Sequence, residues 1–148
     1  MVLTQKETDL LKDLKNQEKL CIDKYSKHSE CAKDPQLKSL FKGLAETEQR
    51  HLDTLCQIEN GTVPSLSGAE NALPTFTASY CTDSADKTND CYLCNDLLTM
   101  EKHASSLYDT CIFEFNDENA RNVLNNIQKQ EQTHGKMIYD YMKANNMQ

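Results

Sequence analysis

Tryptophan is absent from this 148-residue chain, and glycine (4) and proline (3) are scarce. That scarcity suits long helices joined by few turns. No cluster of Lys or Arg occurs and the net charge is -7, so nucleic acid and anionic membrane are poor partners. No apolar run approaches eighteen residues, and no charged-then-apolar leader opens the chain. The expectation is a soluble protein that neither spans a membrane nor carries a signal peptide.

What is present is a modest apolar fraction, 38%, enough for a bundle in which each helix buries one stripe. The length predicts one domain, residues 1–148. Cysteine is plentiful: 21, 31, 56, 81, 91, 94 and 111. Seven is odd, so at least one thiol is free or paired between chains. Secretion is not indicated, so a prefolded disulfide scaffold does not fit. Cross-linking between molecules, or plain buried thiols, fit better.

Thr4-Gln5-Lys6-Glu7 is a capping box that opens a first helix of about 25 residues. Its stripe runs Leu10/Leu11, Leu14, Glu18, Cys21, Ile22, Tyr25. Asp34-Pro35 starts a second helix, with Asp as N-cap and Pro at the first helical position. Its stripe is Leu37, Phe41, Leu44, Glu48, His51, Leu55, Ile58, and Asn60-Gly61 closes it. Residues 61 to about 87 lose the period. Gly61, Pro64, Ser65, Ser67, Gly68 and Pro74 read as a loop. A loop of that length is best explained as a crossover running the length of a bundle. A third helix starts near Thr88-Asn89-Asp90, with stripe Cys94, Leu97/Leu98, Glu101, Ala104/Ser105, Tyr108, Ile112, Phe115. Asn116-Asp117 caps the fourth, with stripe Ala120, Leu124, Ile127, Glu131, His134, Ile138, Tyr141. The polar tail from Asn145 is expected to fray. The fold class is therefore all-α: an antiparallel four-helix bundle of ferritin-like topology. Its hairpins cover about 4–60 and 88–144, and a long crossover over about 61–87 joins helices 2 and 3.

The two hairpins repeat each other. Glu48-Gln49-Arg50-His51 and Glu131-Gln132-Thr133-His134 share the Glu-x-x-His pattern. Glu18 and Glu101 each stand 30 residues earlier. The offset is 83 throughout, and Tyr25 pairs with Tyr108 and Asp34 with Asp117 in the same way. On a helix, i and i+3 share a face. One Glu from each of two helices and Glu-x-x-His from each of the other two is the ligand set of a di-metal carboxylate site.

Singly, each of these residues is more often a solvated helix residue than a ligand. Together they fall at one level of four otherwise apolar stripes. Burying four carboxylates without compensation costs several kcal/mol per group, roughly, and two divalent cations would neutralise them. Oxygen and nitrogen ligands suit two Fe or Mn ions better than a thiolate Zn site. Glu48 and Glu131 would bridge, with His51 and His134 as same-helix partners and Glu18 and Glu101 as terminal ligands. Tyr25 and Tyr108 share the Glu18 and Glu101 face, either hydrogen-bonding the ligands or serving as core aromatics. Cys21 is either a redox-active neighbour of the metals or a small buried hydrophobe. Cys91-x-x-Cys94 lacks the second pair that a thiolate metal site needs. His28 and His103 read as surface. In this topology Cys31, Cys81 and Cys91 gather at one end, with Cys56 and Cys111 toward the other, off the stripes and available for disulfides.

The stretches LTQKETDLLKDLKNQEKLCIDKY, DPQLKSLFKGLAETEQRHLDTL, NDCYLCNDLLTMEKHASSLYDTCIFEF and NVLNNIQKQEQTHGKMIYDYM resemble the spore coat protein F family, especially its clostridial members. The resemblance covers nearly the whole chain. It implies a ferritin-like fold, beside rubrerythrins and bacterioferritins, with the metal positions mapping onto Glu18, Glu48, His51, Glu101, Glu131 and His134. It also implies a sporulation protein made in the mother-cell cytoplasm and deposited in the spore coat. Its partners would be other coat proteins or further copies of itself in a homo-oligomer, with cysteines as cross-links. The chain departs from rubrerythrin in lacking a four-cysteine rubredoxin module, so a peroxidase would need another electron donor. Two functions follow as expectations. One is a coat component whose metal site is stabilising or vestigial. The other is a di-iron or di-manganese oxidoreductase acting on oxygen, peroxide or Fe(II).

Overall fold

The computed structural model describes residues 1–66 and 72–148. Ser67 and Gly68, read above as part of the crossover, lie outside the described residues. Four helices account for the regular structure among the described residues: α1 (Gln5–Cys31), α2 (Pro35–Glu59), α3 (Ala85–Glu114) and α4 (Glu118–Ala144). Each starts where the sequence supplies a cap. Thr4 accepts from the Glu7 amide at 3.1 Å while the Glu7 carboxylate accepts from the Thr4 amide at 2.9 Å, a complete capping box. Asp34 and Asp117 cap α2 and α4 through the amides of Gln36 and Ala120. Past the end of α2, Gly61 adopts φ 85°, and its amide bonds Ile58 O while that of Thr62 bonds Gln57 O. This is a Schellman stop, in which glycine takes the left-handed position without a Cβ clash.

Hairpins α1–α2 and α3–α4 pack together through α1 against α3 and α2 against α4. α1 and α3 run antiparallel. Asn89 Nδ2 donates to Cys31 O at one end, and the Asn116 amide donates to Glu7 Oε2 at the other. Short turns make α2 antiparallel to α1 and α4 antiparallel to α3. The end of α2 and the start of α3 therefore lie at opposite ends of the bundle. Gly61 starts the connecting segment beside the Met1 backbone, and it ends at the N-cap Ser84 beside the α1–α2 turn. None of the four helices is long and apolar enough to cross a membrane.

The core is two apolar clusters. One holds Tyr25, Phe41, Leu97, Ile138 and Tyr141, and the other Leu11, Leu14, Leu55, Tyr108 and Leu124. Between them in sequence on α1, α2 and α4 lie buried Glu18, Glu48, His51, Glu131 and His134, and on α3 buried Glu101 lies between Met100 and Ala104 of the first cluster.

Four local expectations require correction. α3 begins at Ala85, not near Thr88, because Ser84 accepts from the Lys87 amide. Asp90 is thereby freed from capping. It is fully buried and accepts from the amides of Lys33 and Asp34 and from Tyr80 OH. The tail does not fray at Asn145. That side chain is buried and its Oδ1 accepts from the amides of Ser79 and Tyr80, tying the crossover down, while Met147 enters the first cluster. Cys111 lies in the second cluster rather than off the stripe, because the step from Tyr108 is three residues, leaving Ile112 half-buried. His28 is half-buried, with Nε2 2.8 Å from Asp96 Oδ2.

Candidate metal centre

Four elements each deliver part of the polar layer: Glu18 from α1, Glu48 and His51 from α2, Glu101 from α3, Glu131 and His134 from α4. All six are at most 3% exposed. Their ligand atoms form two overlapping sets, Glu18, Glu48, His51, Glu131 and Glu48, Glu101, Glu131, His134, each with its atoms within 4.8 Å of one another. The two sets share Glu48 and Glu131.

Each imidazole reaches across to the other hairpin. His51 Nδ1 lies 2.9 Å from Glu131 Oε1, and His134 Nδ1 lies 2.8 Å from Glu48 Oε1. The same nitrogens stand 3.7 Å from their own i-3 carboxylates. The rings stack with centroids 5.8 Å apart and planes 13° from parallel. On its far side His51 Nε2 meets Gln130 Oε1 at 2.6 Å. With that oxygen accepting, Nε2 carries the proton and the Nδ1 lone pair faces the carboxylates. The sequence reading passed over Gln130. Its counterpart at the 83-residue offset is Thr47, so the internal repeat could not flag it.

The tyrosines cross the bundle too. Tyr25 OH donates to Glu101 Oε1 at 2.5 Å and Tyr108 OH to Glu18 Oε1 at 2.6 Å. Burial, and then the facing carboxylates, push both phenols well above their ordinary range, so they are neutral donors. Cys21 is fully buried and Gln17 Nε2 lies 3.6 Å from its sulfur. Burial, reinforced by Glu48, Glu18 and Glu101, drives its pKa up, so it is a thiol and not a thiolate.

Several donor atoms at the centre are unanswered. Glu18 Oε2, Glu101 Oε2, Glu131 Oε2 and both oxygens of Glu48 are buried with no hydrogen bond from within the protein. For Glu48 Oε1 this holds despite the 2.8 Å approach of His134 Nδ1, a contact whose alignment, not length, falls short. Buried polar atoms are rarely left so, and five in one layer point to a ligand. Crowding and burial make some of these groups hold protons. Burial, then the neighbouring Glu48, raises Glu18 to about 11, and burial with Glu101 and Glu48 lifts Glu131 well above its usual range. Burial also presses Glu48 upward, but the neighbouring Glu18 carboxyl and the His134 and His51 imidazoles outweigh it and hold Glu48 low. Burial opposes charge on His134, yet Glu101 and Glu48 raise it to about 9. The donor set fits hard or borderline divalent cations that take oxygen and nitrogen, with no thiolate among the ligand atoms.

None of the seven cysteines is in a disulfide. Cys31 and Cys81 are exposed, Cys56 and Cys91 half-buried, and Cys21, Cys94 and Cys111 buried.

A ferritin-like bundle with a buried carboxylate–histidine layer is the class that fold and site define together. Residues 89–147 match the Coat F domain, which takes in nearly all of α3 and the whole of α4. The likeness read from the sequence ran over nearly the whole chain, whereas this match lies on the second hairpin. Among solved structures the chain resembles the bacterioferritin-related protein of Bacteroides fragilis, a dodecameric thioferritin. The two share 19% identity and a TM-score of 0.69, over 94% of this chain and 85% of that one. No curated protein matches the chain.

The protonation pattern fixes a pH dependence. The folded Glu18 value, about 11, exceeds its ordinary 4.5, so the folded protein holds a proton that the unfolded chain loses above that value. The His134 contribution is full below 6.5 and is lost as pH rises through about 9. Both act in one direction. The melting temperature of metal-free protein should fall by several degrees between pH 6 and 9, and Glu18→Gln should flatten the fall. A melting temperature that rises over that range would contradict this protonation pattern.

Proposed function

We propose that the chain is a spore-coat component of ferritin-like fold, acting as one domain over residues 1–148 and holding two Fe or Mn ions. The observation that carries the metal assignment is the group of five unanswered carboxylate oxygens facing two imidazoles in one buried layer. Glu48 and Glu131 would bridge, Glu18 and Glu101 would complete one ion each, and His51 and His134 would bind through Nδ1. Two such ions would neutralise the layer and, when bound, supply one-electron redox or Lewis-acid chemistry.

The chain's own residues do the rest. Tyr25 and Tyr108 fix one oxygen of each terminal carboxylate, which leaves the second oxygen for the ion. Gln130 fixes the His51 tautomer, and the two apolar clusters flank the layer along the helices.

The Coat F match supports deposition in the spore coat. The dodecameric neighbour supports a homo-oligomer, and the exposed thiols of Cys31 and Cys81 are suited to cross-linking copies of the chain or other coat proteins. An oxidoreductase acting on oxygen, peroxide or Fe(II) is the second reading, favoured by the completeness of the ligand set.

Protein loaded anaerobically with Fe(II) or Mn(II) should retain about two ions per chain by elemental mass spectrometry, and the Glu48→Ala, Glu131→Ala double variant should retain none. Equal retention by both would overturn the site. Antibody detection on fractionated spores should place the chain in the coat extract. Its recovery only from the mother-cell or core fraction would remove the coat assignment.

A further inference from the structure

The two halves of the repeat close over the polar layer unequally. Between α3 and α4 a groove of about 570 Å³ reaches inward from the surface, and Glu101 and Glu131 form part of its lining. Ser105 and Gly135 line the same groove. At the offset of 83 the first hairpin has Ile22 and Leu52 instead, both half-buried. The opening therefore lies where the second hairpin replaces two branched side chains with a hydroxymethyl group and a hydrogen.

Nothing in the backbone or the packing asks for glycine at 135. It lies within α4 without a positive φ, and a Cβ there would meet only Leu98 Cδ2, at the ordinary contact distance of 3.9 Å. A glycine inside a helix lowers helix stability relative to alanine. At this position the smallness leaves room in a groove whose lining includes Glu101 and Glu131, themselves 3% and 1% exposed. The lining carries the carboxyl groups of Glu101, Glu131 and Asp140 beside Lys102 and Lys136. Lys136 is itself paired with Asp140 at 3.1 Å. Such a lining is passable to a small hydrated cation.

We propose that this α3–α4 groove, kept open by Gly135 and Ser105, is the route by which divalent cations reach the buried layer. Gly135 and Ser105 set the rate of passage and take no part in holding the ion. The inference rests on the di-metal reading above, and the test separates the two.

Co(II) is the probe, followed by its absorbance in stopped-flow mixing with metal-free protein and by its removal with excess chelator. Gly135→Leu and, separately, Ser105→Ile restore the bulk of the first hairpin. Gly43→Leu, at an exposed helical glycine with open space around it, is the control. The expected result is uptake and removal both slowed about tenfold in Gly135→Leu, with about two Co(II) per chain and unchanged affinity. Ser105→Ile should slow both in the same direction and Gly43→Leu should match the wild type. Wild-type rates in the groove variants at full occupancy would overturn the route and leave the metal site standing. A Gly135→Leu variant that fails to fold leaves the decision to Ser105→Ile, whose wild-type rate would likewise overturn it. No uptake by the wild type would overturn the metal reading and the route with it.

Discussion

Four carboxylates cannot share one dry layer at neutral pH unless something answers their charge. The rest of the structure follows from that constraint. The layer sits at the middle of each helix, so the four stripes must align in register. It divides the apolar core in two, so each half must be packed well enough to hold the layer in place. The tyrosines and Gln130 are bound into it from the far side of the bundle, which fixes the helices relative to one another. In a bundle without a cation the answer is a set of shared protons, and that arrangement weakens as pH rises. Two divalent cations answer the same charge at any pH that leaves them bound.

The topology meets that constraint with little sequence. A hairpin supplying one Glu and one Glu-x-x-His is half a site, and two copies placed antiparallel complete it. Each imidazole lies closer to the other hairpin's carboxylate than to the one on its own helix, 2.9 against 3.7 Å for His51 and 2.8 against 3.7 Å for His134. The site is thus a property of the paired hairpins. Neither has it alone. The crossover lets both hairpins belong to one chain, and Asn145 and Asp90 fasten its later part to the bundle end.

Much of this was legible in the sequence because the polar positions interrupt strongly periodic stripes at a fixed 83-residue offset. Period and spacing are local signals, and they place the six site residues on one face and at one level. What could not be read depended on contacts between distant segments. Gln130 breaks the repeat, and only its approach to His51 gives it a role. Asp90 looks like a helix start until Ser84 is seen to cap α3. Asn145 belongs to a polar tail until the crossover folds back over it. The groove beside Gly135 was in the sequence as an unequal pair, Gly135 against Leu52, but it has meaning only once both lie against the carboxylate layer.

The most direct trial of this account is anomalous diffraction at the iron or manganese edge from crystals of loaded protein. The account requires two peaks inside each chain. Glu48 and Glu131 should touch both peaks, and each peak should have one imidazole and one further Glu. A map with no peak in the layer, and with the carboxyl groups bonded to one another, would mean that protons alone answer the buried charge. The ferritin-like frame would then be structural.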